Sequence, residues 1–547
     1  MADAGKSQST AAMSAPELVR DDYRDAKDQL PLPPEGRLIG MVVHWEGTPN
    51  FLDAAALLDP GEDVRPGQFV GVWHGKRQRG VLTVVQVTNA REVNPNEVPE
   101  LATARQRLGL PSGYAQEGIS TRIFRMLEGP TIEEFEIEIE NGRSRIISRR
   151  APEQLVRAGD PVITLSAELL AQVIGAEPDP DKGIFLGSTY ATDPVDIALP
   201  NQALQLHIGL FGNPGKGKSY CAGVLMEEAL KWKIPSLALD INGEFIDAAK
   251  SVGGMVITLP DKDKFGLSLN LITSPELVEI TPNVQPNTVY AELIELAHER
   301  LRGDAAVTTI TFDLLCAKIE ELGAQVEAKA PSIRTATGRI RSLQRDSIMS
   351  GRPFDFVSQM VKSGLVVLDC RYISLRQTRL IAAAAARELQ RVGRESSRKA
   401  NAGDKEAERW FSLLFVDEAH LVVPEDGGVS TQVMYELARM GRHVRTGLVL
   451  SSQSPADLNQ SVLKRLQTRL IFALEHDQLK RLSGVMADFD EQLIRTLPKL
   501  PQGVCAVSGS SEIVKHGFLL RVRRRETPVG GRTPSVFQGR VKKPIGK

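Results

Sequence analysis

The sequence predicts an α/β protein: a largely parallel sheet with helices on both faces, a β-rich segment before it and an all-helical segment inserted into it. Three observations predict this fold class. An apolar run ending at residue 211 meets the glycine-rich stretch GNPGKGKS, and a helix-compatible segment follows. Short apolar strands then alternate with helices as far as residue 508, which is typical of a parallel sheet. Before residue 166 short β-rich runs dominate, whereas residues 287–350 show helical periodicity.

The composition limits the class of protein. The chain has 547 residues, which suggests about three or four domains. Its formal net charge is −1, so any surface that binds nucleic acid must be local. The four cysteines lie far apart without C-x-x-C spacing, so we expect neither a metal nor a disulfide framework, and a reducing cytoplasm fits. No apolar stretch reaches about 18 residues and the N-terminus lacks an apolar core, so we expect a cytoplasmic protein without a signal peptide or membrane span.

The N-terminal part divides into two segments. Residues 1–35 are rich in Ala, Ser, Asp and Pro and are predicted to be flexible. Residues 36–165 contain short β-rich runs separated by Gly, Pro and Asp turns, which predicts a small β-barrel, with a β-sandwich as the alternative. The predicted strands are at 37–45, 69–74, 81–87, 121–126, 134–138, 145–148 and 161–163.

The α/β core is predicted in two parts, residues 166–285 and 353–520, on either side of a helical insertion at 286–352. A turn-rich connector at 177–199 leads into it, and a polar linker is expected at 393–408. The arginines of the insertion are explained by a solvated helix face as well as by DNA. Residues 521–547 are basic and rich in Pro and Gly, and we expect a C-terminal tail. The predicted core strands are at 206–211, 236–240, 255–258, 365–369, 410–417, 448–452, 470–474 and 504–508.

The glycine-rich stretch fits the phosphate-loop pattern G-x-x-x-x-G-K-[ST] without a mismatch, although a chance match in an ordinary glycine loop is the alternative. Its glycines let backbone N–H groups turn towards phosphates, and the helix N-terminus adds positive potential. Lys218 would reach the β- and γ-phosphates of ATP, and the Ser219 hydroxyl would bind Mg²⁺. The predicted nucleotide-binding segment is Gly212, Asn213, Pro214, Gly215, Lys216, Gly217, Lys218, Ser219 and Tyr220.

A second acidic motif, LLFVDEAH, ends an apolar strand with two carboxylates. Asp417 would hold Mg²⁺, and Glu418 would polarise the attacking water, which favours hydrolysis over phosphoryl transfer to a substrate. A strand running into an acidic turn is the alternative. Gln453, at the tip of the strand beside it, is placed to sense the γ-phosphate.

Arg442 lies in the stretch ARMGRHVRTG. It is either an arginine finger supplied to a neighbouring subunit or one of several arginines that complement a helix C-terminus. Its chemistry alone favours neither role.

The order of GNPGKGKS, LDINGEF, LLFVDEAH, ARMGRHVRTG, LVLSSQSP and RLQTRLIFAL resembles the HerA family of hexameric DNA-translocating ATPases, in the HerA/FtsK superfamily. The resemblance covers roughly residues 36–520. It implies a RecA-like P-loop ATPase core with a HerA-type N-terminal β-barrel and an inserted helical subdomain. It also implies that Asp240 and Glu244 belong to the nucleotide site, that Gln453 is the sensor and that Arg442 acts in trans. His443 departs from the Lys or Arg expected after Arg442, so Arg445 is the alternative finger.

The resemblance implies a function as well. We expect a homo-hexameric, ATP-hydrolysing ring that encircles and translocates double-stranded DNA. Its partner would be a nuclease or effector (NurA-like, sirtuin-like or another nuclease) in DNA end processing or antiphage defence. The alternative is an ATP-dependent ring scaffold that activates an effector without processive translocation. A conjugative coupling-type pump shares the core but normally carries membrane anchors.

Overall fold

The structure, a computed structural model, describes residues 36–45, 47–59, 61–76, 79–93, 124–140 and 143–530. The chain forms two compact units, Met1–Leu170 and Ala171–Lys547. The predicted flexible segment at 1–35 lies outside the described residues.

The N-terminal unit contains one antiparallel sheet. Its pairings run β2–β1–β8–β3–β4–β6 and return from β6 to β2, so the circuit of hydrogen-bonded strands is closed. Strands β5 and β7 also pair with β6. The strands are β1 (Leu38–Val42), β2 (Asp53–Leu58), β3 (Phe69–Lys76), β4 (Arg79–Gln86), β5 (Asn89–Val93), β6 (Phe124–Glu140), β7 (Arg143–Arg150) and β8 (Pro161–Ile163).

The sequence predicts two separate runs where the structure has the single 17-residue strand β6. The Gly129-Pro130 pair reads as a turn, but it lies within the strand. A Cβ on Gly129 would be 1.9 Å from the carbonyl oxygen of Gln86. This glycine is therefore required for close approach of a neighbouring backbone. Strands β2 and β5 are also absent from the prediction, because DAAALL and NAREV lack the β-branched and aromatic residues of a typical strand.

The second unit is built on an 11-stranded sheet in the order β10-β9-β19-β18-β17-β11-β16-β15-β12-β14-β13. The strands from β17 to β13 in this order are parallel, as predicted, and the remaining pairings are antiparallel. The strands are β9 (Ile184–Thr189), β10 (Asp196–Leu199), β11 (Ile208–Phe211), β12 (Ser236–Asp240), β13 (Met255–Thr258), β14 (Leu365–Asp369), β15 (Ser412–Val416), β16 (Thr446–Ser452), β17 (Thr468–Ile471), β18 (Val504–Gly509) and β19 (Phe518–Val522).

The antiparallel edge corrects two expectations. The predicted connector at 177–199 contains β9 and β10, and the predicted tail begins inside β19, which pairs with both β18 and β9. Residues 521–530 therefore belong to the ordered core, while 531–547 lie outside the described residues. Local pattern does not reveal this edge because its partners are distant: Arg523 Nε donates to the Phe185 carbonyl at 3.1 Å, 338 residues away.

Helices cover the sheet, and the apolar residues of α6, α7 and α8 belong to the same hydrophobic cluster as those of the strands. The helices are α1 (Ala167–Ile174), α2 (Gln202–Gln205), α3 (Lys218–Lys231), α4 (Ile246–Ser251), α5 (Ser274–Ile280), α6 (Val289–Gly303), α7 (Phe312–Gln325), α8 (Ala330–Leu343), α9 (Phe356–Ser363), α10 (Leu375–Asn401), α11 (Lys405–Glu408), α12 (Ala419–Val422), α13 (Val429–Val444), α14 (Gln460–Leu463), α15 (His476–Ser483) and α16 (Glu491–Thr496).

Helix α10 extends through most of the predicted polar linker at 393–408. Gly393, which reads as a helix breaker, is a packing site: a Cβ there would be 1.6 Å from the carbonyl oxygen of Val444 at the end of α13. Helices α10 and α13 can therefore approach each other closely only with glycine at this position.

His207 joins the phosphate-loop strand to α13 and β16. It is 1% exposed and adopts a left-handed backbone conformation with φ 66°. Its Nδ1 accepts from the Leu448 N–H at 3.0 Å, so Nε2 carries the proton and donates to the Ala438 carbonyl at 3.1 Å. Burial lowers the pKa of His207 to about 4. This neutral side chain fixes the start of β11 relative to the helix that carries Arg442.

All four cysteines are buried free thiols. Within the part of the chain that the structure describes, none of the helices has both the length and the apolarity needed to cross a membrane.

Candidate functional site

The phosphate loop connects the end of β11 to the start of α3. Gly215 and Gly217 have φ of +73° and +122°, so the loop requires glycine at both positions. Two contacts outside the motif support it: the Asn213 N–H donates to the Ala473 carbonyl at 2.9 Å, and the Gly503 N–H donates to the Lys216 carbonyl at 3.0 Å. The loop is therefore framed by segments that follow β17 and precede β18.

Lys218 is buried in the first turn of α3. Its Nζ donates to the Gly212 carbonyl at 2.6 Å and lies 3.4 Å from the Asn213 carbonyl. Burial lowers the pKa of this ammonium, and the negative charges of Glu418, Asp417 and Glu244 oppose that shift. The structure thus brings the loop lysine and both predicted acids into one electrostatic cluster.

The acidic pair follows β15 at the carboxyl edge of the sheet. Asp417 is 2% exposed, and its pKa is raised well above the ordinary value by burial and by the nearby charges of Glu418, Glu244 and Asp240. Glu418 has a left-handed backbone conformation, with φ 43°, which is uncommon outside glycine and marks a strained position. Burying two acids side by side is costly unless a cation or hydrogen bonds offset the charge.

Glu418 contacts two amides from other strands. Gln453 Nε2 donates to Glu418 Oε1, and Asn242 Nδ2 donates to both Glu418 Oε1 and Asp417 Oδ2 at 3.2 Å. Among the described residues, Glu418 Oε2 is buried without a hydrogen-bond partner, and His420 Nδ1 lies 3.5 Å from it. One oxygen of Glu418 is therefore held in place while the other keeps its capacity to accept a proton.

The two predicted site residues at the turn after β12, Asp240 and Glu244, have different contacts. Asp240 is fully buried and accepts hydrogen bonds from the N–H groups of Gly243 at 2.7 Å, Glu244 at 3.0 Å and Phe245 at 2.9 Å. Its carboxylate therefore shapes the turn, and the structure does not present it as a nucleotide ligand. Glu244 lies near enough to Lys218 and Asp417 to influence the pKa of each.

Tyr220 has a contact that the sequence does not predict. Its hydroxyl accepts a hydrogen bond from the Arg525 N–H at 2.6 Å, so the side chain is used by the C-terminal segment.

The two arginines of the finger motif lie at the end of α13. Arg442 is exposed and forms an ion pair with Glu512. Arg445 has φ 49° and its Nη1 donates to the Ala407 carbonyl at 2.8 Å. This end of α13 leads into the start of β16, which runs parallel to β11. Since β16 has seven residues, roughly 20 Å of strand separates Arg442 from the phosphate-loop edge of its own sheet.

Comparison with known proteins supports the resemblance to the HerA helicases. A family model described as "Helicase HerA, central domain" matches residues 184–389. The DNA double-strand break repair helicase HerA of Sulfolobus acidocaldarius is 24% identical over 391 residues, covering 70% of this chain and 76% of the relative. The protein of the same name from Pyrococcus furiosus is 21% identical over 533 residues, covering 87% and 91%. The chain is therefore similar to the HerA helicases over most of its length.

Solved structures with a similar fold include VirB4 of Thermoanaerobacter pseudethanolicus, at TM-score 0.45 and 14% identity, covering 64% of this chain and 98% of that one. The bacterial conjugative coupling protein TrwB gives a TM-score of 0.43 at 15% identity, covering 62% and 89%.

Similarity to the HerA helicases, together with an intact phosphate loop and its acidic partner strand, makes this chain an ATPase. Ser219, in the first turn of α3, and Asp417 offer the oxygen ligands that Mg²⁺ prefers. Glu418 follows Asp417 directly, and within the described part of the chain its Oε2 is buried without a hydrogen-bond partner.

The sequence reasoning missed Asn242, although this residue stands inside the quoted segment LDINGEF. The carboxyl ends of parallel strands meet at one edge of a sheet, and β12 pairs with β15. On that rule alone, the sequence reasoning could have placed a polar side chain just after β12 beside Asp417. The contacts of Ala473 and Gly503 with the phosphate loop could not be predicted from the sequence in this way, because they are made by backbone groups and not by side chains.

Proposed function

We propose that this HerA-like ATPase works as a ring-shaped motor, a homo-hexamer that encircles and translocates double-stranded DNA. The observation that carries the proposal is the position of Arg442. It is exposed at the edge of the sheet opposite its own phosphate loop, so we infer that it acts on the nucleotide of a neighbouring subunit. The names of the Sulfolobus acidocaldarius and Pyrococcus furiosus relatives support DNA as the substrate.

In the proposed reaction ATP binds with Mg²⁺, which supplies charge neutralisation at the phosphates. The residues present fit this pair: the loop glycines open a cradle, Ser219 and Asp417 supply oxygen, and a buried carboxylate oxygen of Glu418 has no other partner among the described residues. Lys218 leaves its loop carbonyls to hold the β- and γ-phosphates. Glu418 takes the proton of the attacking water at Oε2, while Gln453 holds Oε1 and reports on the γ-phosphate.

Arg442 is preferred over Arg445 as the residue supplied in trans. The Arg445 guanidinium donates to the Ala407 carbonyl in α11, whereas the Glu512 partner of Arg442 is exposed and can be exchanged at little cost. The N-terminal unit with its closed circuit of strands is proposed as the family's barrel, and residues 286–352 as its helical insertion. A separate nuclease or effector is proposed to act with the ring.

The trans arrangement is tested by mixing subunits. Arg442→Ala and Lys218→Ala rings should each be nearly inactive, because an arginine finger contributes about 10³–10⁵ to the rate. Mixed rings contain some interfaces with both residues intact, so ATP turnover should partly return. The matched control is Arg445→Ala mixed with Lys218→Ala. Full turnover by a monomer, or no recovery in well-mixed rings, contradicts the proposal.

Action on DNA is tested separately. DNA binding should weaken with salt at a slope of about −0.9 in log K for each phosphate contact, and it should be nearly independent of sequence. DNA should also stimulate ATP turnover. A ring that hydrolyses ATP but shows neither response would favour the scaffold function.

A further inference from the structure

Residues 523–530, which we name the C-terminal strap, leave β19 and run along α3. The Arg525 N–H donates to the Tyr220 hydroxyl at 2.6 Å. The N–H groups of Glu526 and Thr527 donate to Glu227 Oε1 at 2.9 and 2.7 Å. Tyr220 and Glu227 lie seven positions apart on α3, which places them on one face of the helix. The strap is therefore bonded to the helix that starts in the phosphate loop.

The hydroxyl of Thr527 is the centre of this contact. It donates to Glu227 Oε1 at 2.7 Å and accepts from Arg525 Nε at 2.8 Å. The Arg525 side chain is 1% exposed and lies over Gly223, where a Cβ would be 2.2 Å from its Cζ. Among the described residues, Arg525 Nη2 has no hydrogen-bond partner. Burying a charged group in this way is costly. The burial of Arg525 therefore indicates a specific contact, and not a loosely attached segment.

The far end of the strap reaches the other half of the nucleotide site. A Cβ on Gly530 would be 2.7 Å from the Glu244 carbonyl oxygen and 3.4 Å from that of Gly243. These residues form the turn held by Asp240, and Asn242 in the same turn contacts Asp417 and Glu418. One short segment thus touches both the helix that carries Lys218 and the turn beside the catalytic acids.

We propose that the C-terminal strap sets the position of α3 relative to the Asn242–Glu244 turn, and that Thr527 and Arg525 are positioning residues for ATP binding. The proposal rests on the ATPase activity and not on DNA translocation. Since Lys218, Ser219 and the first N–H groups of α3 contact the nucleotide already in the ground state, a displaced helix should weaken binding more than it slows the chemical step.

The test compares Thr527→Val with Thr527→Ser in the full-length chain, by steady-state ATP turnover without DNA. Valine keeps the shape and removes both hydroxyl contacts, and serine restores them. Thr527→Val should raise the KM for ATP by about tenfold with kcat within about twofold, and Thr527→Ser should behave as the native chain. The control is Glu526→Gln, whose exposed side chain contacts Lys231 at the other end of α3.

A second variant separates positioning from stability. Gly223→Ala should displace the Arg525 guanidinium and raise the KM, but alanine is the better helix former, so the melting temperature should not fall. Gly338→Ala in α8 is the matched control, because a Cβ there meets nothing within 4 Å. An unchanged KM in Thr527→Val and Gly223→Ala overturns the proposal, and so does a KM defect that Thr527→Ser shares. Because no DNA is present, the outcome is independent of the motor proposal.

Discussion

Three neighbouring parallel strands, β14, β12 and β15, each bring an aspartate to the same edge of the sheet, and the three carboxylates have different fates. Asp369 forms a two-point ion pair with Arg371, with both N–O distances 2.8 Å. Asp240 accepts three backbone hydrogen bonds from its own turn. Asp417 contacts an amide, Asn242, and its pKa is raised by burial and by three further acids.

The difference teaches how an apolar strand ending in aspartate acquires a structural or a catalytic role. The residues after the strand decide it. After Asp240 the sequence INGEF turns back and supplies N–H groups, with Gly243 at φ +78° making the turn possible. After Asp369 comes an arginine within two residues. After Asp417 comes a second acid in a left-handed conformation, and the charge is left for a cation to balance.

The largest expected effect comes from a substitution in the catalytic group, at Glu418 beside Asp417. Glu418→Gln should keep ATP binding and lower turnover by at least ~10²-fold, because the amide cannot take a proton from water. Turnover is measured by phosphate release, and binding by equilibrium titration with ATP and Mg²⁺. The matched control is Glu491→Gln, because the Glu491 side chain is 82% exposed. Normal turnover by Glu418→Gln would remove this residue from the mechanism.

The next largest effect concerns Asp240, the aspartate with a structural role. Asp240→Asn replaces one accepting oxygen by an amide NH₂, so at least one of the three N–H groups loses its acceptor and the free energy of unfolding should fall by about 1–3 kcal/mol. Asp417→Asn should abolish turnover without such a loss, because it removes a buried charge that has like-charged neighbours. Chemical denaturation of both variants and of the native chain measures the difference. Equal stability losses in the two variants would mean that the aspartates do not differ in role as described.

The smallest effect is at Asp369. Burial alone would raise the pKa of this carboxyl, but hydrogen bonds and the charge of Arg371 lower it below 3.8. The ion pair therefore contributes stability above pH 3.8 and loses it as the pH falls through the lowered value. Arg371→Gln should cost about 1 kcal/mol at neutral pH, since Arg371 is partly exposed and Thr258 still donates to Asp369.

The measurement is the melting temperature of Arg371→Gln and the native chain as a function of pH. The difference between the two melting temperatures should decrease as the pH falls below 3.8. If the difference in melting temperature is constant with pH, the effect of Arg371 is due to its packing over Tyr372 and not to its charge.

The sequence was sufficient where function depends on consecutive residues. The phosphate loop, the strand before Asp417 and the parallel order of the central strands all have local patterns, and the structure places Lys218, Glu418 and Gln453 together. The sequence was insufficient where side chains or backbones meet across the fold. Whether Asp240 is a ligand or a turn acceptor depends on backbone N–H directions, and the roles of Tyr220 and Gly223 depend on a segment about 300 residues later.

Glycines gave the most misleading signals. Gly129 and Gly393 suggest a turn and a break in a helix, yet both are sites where another backbone comes too close for a Cβ. A glycine that forms a turn or ends a helix looks the same in the sequence as a glycine at a close backbone contact. Only the neighbouring element of the fold distinguishes these cases.

The pairing of β19 with β9 has a consequence for synthesis of the protein on the ribosome. All strand pairings of the N-terminal unit lie between residues 38 and 163, so they can form early in translation. The phosphate loop is translated before residue 220, but Gly503, β19 and the strap that frame it emerge some 300 residues later. A nascent chain therefore carries the complete nucleotide-binding motif long before it can hold that motif in its folded geometry, and interrupted translation yields products without a finished ATP site.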